Sequence, residues 1–174
     1  REGVPQDVAE QEPKPYRNLF DHPQLGFEAL RLAAHWNLPG GREAAIRRLV
    51  SAPADDLPLL RLHAATLAAY GKPGIRKLIA YAQDTESGKA ELAALEAIAE
   101  VDGPTAAKQC SDFLATFPND LDPAPLLASI LRSKSGPQVL ASSIQGKKLP
   151  ERIATAGVQA AITSGRDLSG LVAA

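Results

Sequence analysis

Few side chains in this sequence could do covalent or acid–base chemistry, and their spacing decides what they are worth. The three histidines, His22, His35 and His63, fall at no metal-binding interval such as H-x-x-x-H, and no cysteine or carboxylate pattern supports them. His35 and His63 stand at comparable phases of successive helical stretches, which suits packing or capping. Cys110 is the single cysteine, so no internal disulfide can form. Ala106, Cys110, Phe113 and Leu114 share one helical face. That setting predicts a small buried hydrophobe, whereas a reactive thiol needs electropositive, partly open surroundings. Glu91, Glu96 and Glu100 lie on one helical segment. Paired carboxylates do acid–base work only where desolvation separates their pKa values, and this pattern predicts a solvated face instead. Asn119-Asp120-Leu121-Asp122 has the look of a calcium loop without the central glycine and the bidentate glutamate at the required spacing. It predicts an exposed turn whose aspartate caps the next helix. Trp36, near a helix end, is expected as a core or rim aromatic.

The glycine pairs complete the search. Gly40-Gly41 and Gly71-Lys72-Pro73-Gly74 match neither G-x-G-x-x-G nor the P-loop, and neither follows a strand pattern. There is no G-x-S-x-G and no Ser/His/Asp set. The sequence therefore predicts no enzyme in this segment, with no catalytic residues, no cofactor and no metal site of its own.

One charged pattern points to binding. Arg47 and Arg48, Arg76 and Lys77, and Lys108 fall at nearly the same phase of successive second helices. If those helices line a groove, the five residues form a basic stripe able to hold an acidic protein segment or a phosphate backbone. The alternative is ordinary solvation, with long stems covering apolar surface. The net charge of −1 favours the latter, since it supplies no global field to draw in nucleic acid. Protein, or neighbouring domains of the same chain, is the expected partner.

The elements that would carry these residues repeat. Leu30-Arg31-Leu32 returns as Leu60-Arg61-Leu62, and Ile46-Arg47-Arg48-Leu49-Val50 as Ile75-Arg76-Lys77-Leu78-Ile79, each about thirty residues on. Such a period signals stacked helical repeats. Residues 1–22, with Pro5, Pro13 and Pro15, form an extended or partly helical lead-in, and 23–174 a single helical-repeat domain. The first helix runs through Phe27, Leu30, Ala34 and Leu38 to Gly40-Gly41, and a second covers Arg42 to Val50. The next pair opens at Asp56, closes at Gly71 and restarts at Pro73. A third runs from about Ser87 to Val101, then from Asp102-Gly103-Pro104 to Phe117. Asp122-Pro123 opens the fourth, which turns at Ser135-Gly136-Pro137. The fifth opens near Pro150 and ends at Ser164-Gly165, its second helix starting at Asp167.

No period-2 strand pattern intervenes, so the expected fold is all-α, a right-handed α-solenoid of about five HEAT-like helix pairs. Alanine, about one residue in six, and an aromatic content of 5 % suit closely packed short helices. The apolar runs are too short to cross a bilayer, so no membrane insertion is expected. The chain opens at Arg1 without a methionine and stops within the apolar run Leu171-Val172-Ala173-Ala174, which reads as a fragment of a larger protein.

The C-terminal stretch adds a narrower likeness. Gly146-Lys147-Lys148-Leu149-Pro150-Glu151-Arg152, then Val158-Gln159-Ala160-Ala161, then Ser164-Gly165-Arg166-Asp167-Leu168-Ser169-Gly170-Leu171-Val172 resembles the helical-repeat region of large bacterial multidomain haem-binding proteins, often labelled membrane-bound dehydrogenases. In that family the region lies between a propeller-type dehydrogenase-like domain and a c-type cytochrome domain. The resemblance implies an exported or periplasmic redox parent in which this piece spaces or docks the active domains. The family's haem-attachment pattern C-x-x-C-H is absent, since Ser111-Asp112-Phe113-Leu114 follows Cys110. No haem or catalytic residue carries over.

Overall fold

The computed structural model describes residues 15–22 and 25–164. Among them every regular element is an α-helix: α1 Pro15–Phe20, α2 Gly26–His35, α3 Pro39–Ser51, α4 Leu57–Ala68, α5 Lys72–Asp84, α6 Gly88–Val101, α7 Gly103–Gln109, α8 Ser111–Ala115, α9 Ala124–Arg132, α10 Gly136–Ile144 and α11 Glu151–Ser164. The expected all-α class holds. Gly165, and the helix expected from Asp167, lie outside the described residues, as does the lead-in before Pro15.

Helix starts follow the sequence cues closely. Asp56 accepts a hydrogen bond from the Leu59 amide at 3.0 Å, Asp102 from that of Thr105 at 3.1 Å, and Ser87 from that of Ala90 at 3.4 Å. Each satisfies one of the amides that a first helical turn leaves without a partner. Asp122 does the same for the Ala124 amide at 2.9 Å, so the Asn119–Asp122 turn is the cap expected of it.

Two boundaries differ from expectation. The first helix stops at His35, not at Gly40-Gly41, because Asn37 takes a left-handed φ of 53°. Both glycines instead sit in the first turn of α3. A Cβ at Gly41 would overlap the Ala33 methyl and the Tyr70 hydroxyl, so the glycine there permits close approach and terminates nothing. The segment expected as one helix from Gly103 to Phe117 is two, α7 and α8, divided at Cys110.

Packing links neighbours in chain order. α2 packs on α4, α4 on α6, α6 on α9, and α9 on α11. Helices α3, α5 and α7 each pack beside the members of that series adjacent to them, and α10 packs on α9 and on α7. The core is aliphatic: Leu30, Leu60, Leu92, Ile98, Leu126 and Ile130 are fully buried. α6 lies deepest, with Ala90, Ala93, Ala94, Ala97 and Ala99 buried alongside Leu92, Leu95 and Ile98. Cys110 is buried in this core, and burial pushes its thiol up to about 12, which suits the small hydrophobe expected.

Two glycines test this packing in opposite senses. A Cβ at Gly74 would overlap the backbone carbonyl of Leu67, whereas one at Gly157 in α11 would meet nothing. Gly74→Ala should therefore lower the urea midpoint by forcing α5 off the end of α4. Gly157→Ala should raise stability by about 1 kcal/mol through helix propensity alone.

Candidate functional site

The five basic residues of the expected stripe do not share one fate. Arg47 on α3 and Arg76 and Lys77 on α5 are exposed, as is Lys108 in the last turn of α7. Arg47 lies 4.0 Å from the Asp21 carboxylate, with both side chains mostly in solvent, so that pair holds little energy. Arg76, Lys77 and Lys108 make no ion pair among the described residues. Arg48 is only half-exposed. Its Nη2 donates to the His22 carbonyl at 3.2 Å, and the guanidinium lies over Gly26, where a Cβ would strike it. Arg48 thus ties α3 to the chain entering α2.

The spacing between helices matters as much. Gln83 Nε2 of α5 donates to Gln109 Oε1 of α7 at 3.3 Å, joining their C-terminal ends. Lys108 adjoins that junction, while Arg76 and Lys77 lie about 10 Å back along α5 at the rise of an α-helix. The exposed cations are therefore spread over α3, α5 and α7, Arg76 and Lys77 being adjacent and Lys108 set apart from them.

The acidic residues of α6 depart from expectation more sharply. Glu96 is not solvated: its side chain is 13 % exposed and accepts both arms of the Arg61 guanidinium, from Nε at 2.6 Å and Nη2 at 2.8 Å. That fork geometry joins α4 to α6 and raises the Arg61 pKa through the hydrogen bonds from its charged form. Glu100, exposed, accepts from the Ser129 hydroxyl and from Arg132 Nη2 at 2.7 Å, joining α6 to α9. Glu91 is half-buried, and desolvation raises its pKa. Two of the three carboxylates are thus committed to neighbouring helices, which leaves no free pair for acid–base chemistry.

Two further tethers lie between the later helices. Lys147 reaches the Asp112 carboxylate and, at 3.0 Å, the Ser111 hydroxyl, closing the α10–α11 connection onto α8. Arg152 on α11 donates to four backbone carbonyls: Phe117 at 2.9 Å, Asn119 at 3.0 Å, Leu121 at 3.1 Å, and Pro118. Its guanidinium also lies 5.2 Å from the Phe117 ring centroid. The sequence offered no sign of this role, because backbone carbonyls carry no residue signature.

The three histidines have different surroundings. His22 Nδ1 accepts from the Leu25 amide at 3.2 Å. His35 is exposed. His63 is buried, and its Nδ1 has no hydrogen-bond partner among the described residues. No group of three or more His, Cys, Asp or Glu side chains among the described residues is placed to hold a metal ion. A partly enclosed cleft of about 120 Å³ is apolar, lined by Leu114, Leu127, Leu140, Ile144, Leu149 and Ile153 among others. No described helix is long and apolar enough to cross a membrane. Comparison with protein-family profiles, with curated proteins and with solved structures finds no match to this chain.

Two measurements follow from this chemistry. Arg61→Met strands the largely buried Glu96 carboxylate and should cost about 1–3 kcal/mol in urea denaturation, between the values for exposed and buried pairs. The double variant Arg61→Met/Glu96→Leu should recover most of that loss. Burial, and then the Arg48 charge, hold the His63 pKa below 6.5 in the fold. The unfolded chain therefore binds the extra proton first as pH falls. The His63 contribution to stability is complete above its ordinary value and is lost below it. Stability measured from about pH 7 down to pH 5 should fall more steeply in the native protein than in His63→Gln.

Proposed function

We propose that this chain is a non-catalytic helical-repeat scaffold, a right-handed HEAT-like α-solenoid of about five helix pairs. It mediates contacts with protein partners or with neighbouring domains of its own chain. The observation that carries the reading is the packing order: α2, α4, α6, α9 and α11 meet in succession, with the intervening helices set beside them. Repeat proteins are built in that way, each unit burying its apolar face on its neighbours and leaving long surfaces for binding. Commitment of Glu96, Glu100, Arg152 and Lys147 to contacts between elements supports a structural role over an enzymatic one. On the resemblance of its C-terminal stretch, the parent is an exported haem-binding redox protein, and this segment spaces or docks its active domains.

A second reading is a nucleic-acid-binding module. It is favoured by one observation, the exposure of Arg47, Arg76, Lys77 and Lys108 on successive second helices. Phosphate contacts release counterions, so such binding weakens steeply with salt.

The gene's reading frame around this segment supplies the domains to test. Binding of the purified segment to those domains, supplied separately and followed by calorimetry across a salt series, should survive moderate salt. It should be unchanged by the triple substitution of Arg47, Arg76 and Lys77 to Glu. Tight binding to duplex DNA or RNA that is lost in the triple variant would replace the scaffold reading with the second one. A reading frame without flanking domains would overturn the interdomain role.

A further inference from the structure

The packing pattern breaks at one place. α3 packs on α4, α5 on α6 and α7 on α9, whereas α10 and α11 both rest on α9 without packing closely on one another. The apolar cleft lies at that gap, lined by Leu127 and Leu131 of α9, Leu140 and Ile144 of α10, and Ile153 and Val158 of α11. α9 and α11 begin alike. The Pro123 carbonyl accepts from the Leu127 amide and that of Pro150 from the Ala154 amide, each at 3.1 Å. In that register Leu126 matches Ile153, and both are buried. Leu127 and Leu131 match Ala154 and Val158. The first two are buried, but Ala154 is exposed and Val158 is 40 % exposed. Ile162, one turn further along the same stripe, is 69 % exposed. α11 therefore leaves open the face that α9 covers.

We propose that residues 167–174 of this chain dock over the cleft as a helix running back along α11, with Leu168 nearest Ile162 and with Leu171 and Val172 on Val158 and Ile144. Leu168, Leu171 and Val172 make one helical stripe. Ser164-Gly165 before them repeats Ser135-Gly136 at the start of α10, where the buried Leu140 and Ile144 follow, spaced as Leu168 and Val172 are. The reach is sufficient: Val158 lies about 9 Å back from Ser164 along α11, and a helix of seven residues spans about 10 Å. A short tether to Ser164 holds the segment near the cleft at an effective concentration on the order of millimolar, ahead of a second copy or a separate partner. So short a helix, with Gly170 inside it, has little stability alone, and burial against the cleft is what would hold it. The inference rests on α9, α10 and α11 and the sequence after them, and stands apart from the binding role proposed above.

Disulfide trapping in the full chain reads the contact directly. Cys110 is buried and its thiol is pushed up to about 12, so it takes no part in the exchange. Val158→Cys is combined in turn with Leu171→Cys, Val172→Cys, Gly170→Cys and Ala173→Cys, and oxidation in dilute solution is followed by mass. Docking places positions 171 and 172 towards α11, so those pairs should close at least about tenfold faster than the pairs at 170 and 173. Equal rates at all four positions overturn the proposal. Independently, Leu168→Asp/Leu171→Asp should lower the urea midpoint and raise the emission of anilinonaphthalene sulfonate as the cleft opens, and Gly170→Ala should raise the midpoint. A native chain as bright with the dye as the double variant overturns the proposal and makes the cleft a site for a separate polypeptide.

Discussion

Everything in this chain depends on how closely α6 can be approached. Eight of its residues are buried, and five of those are alanine. α4, α5, α7 and α9 all pack against it. A methyl group is the smallest side chain that still excludes water and favours helix, so alanine lets helix axes draw together without leaving voids. The leucines and isoleucine interleaved with them, Leu92, Leu95 and Ile98, supply the apolar area. Bulkier residues along the same flank would hold the four neighbours away and open gaps throughout the core. Glycines extend the same logic to helix ends. Gly74 sits against the Leu67 carbonyl, Gly103 against Ser133, and Gly136 against both Ser133 and the Ile130 carbonyl, so the start of a following helix can rest on the end of another.

Close packing alone fixes distance but permits sliding, because alanine surfaces offer few deep grooves. The charged side chains supply register. The Arg61–Glu96 fork locks α4 to α6, and the Glu100–Ser129–Arg132 cluster locks α6 to α9. Arg152 gathers the carbonyls between α8 and α9, while Lys147 secures the α10–α11 connection to α8. Each is a directional contact at the edge of a non-directional core. The exposed members of these pairs add little net stability, whereas Glu96, mostly buried, is costly to leave alone. Such contacts account for the placement of Arg61, Glu96, Glu100, Arg132 and Arg152.

The two kinds of surface left over have different characters. Along α3, α5 and α7 the exposed Arg47, Arg76, Lys77 and Lys108 are scattered and face solvent. On α2, Leu25, Leu32 and Trp36 are each about half exposed, like single apolar residues on the other helices.

Much of this was legible in the residues themselves. The all-α class, the helix caps at Asp56, Ser87, Asp102 and Asp122, and the buried state of Cys110 follow from local rules, since a cap needs only the next three residues and an amphipathic face only its own period. The exposure of Arg47, Arg76, Lys77 and Lys108 was readable for the same reason. Tertiary structure alone decided what became of Glu96 and Glu100, whose partners lie 35 and 32 residues away. It also turned Arg48 onto the His22 carbonyl and Arg152 onto the chain after α8. It placed the break at Cys110, and it moved the Gly40-Gly41 pair from the end of one helix into the start of the next. Periodicity belongs to a single helix and can be read along it. Pairing belongs to whichever helices come to lie side by side, and that is settled only when their faces are buried together.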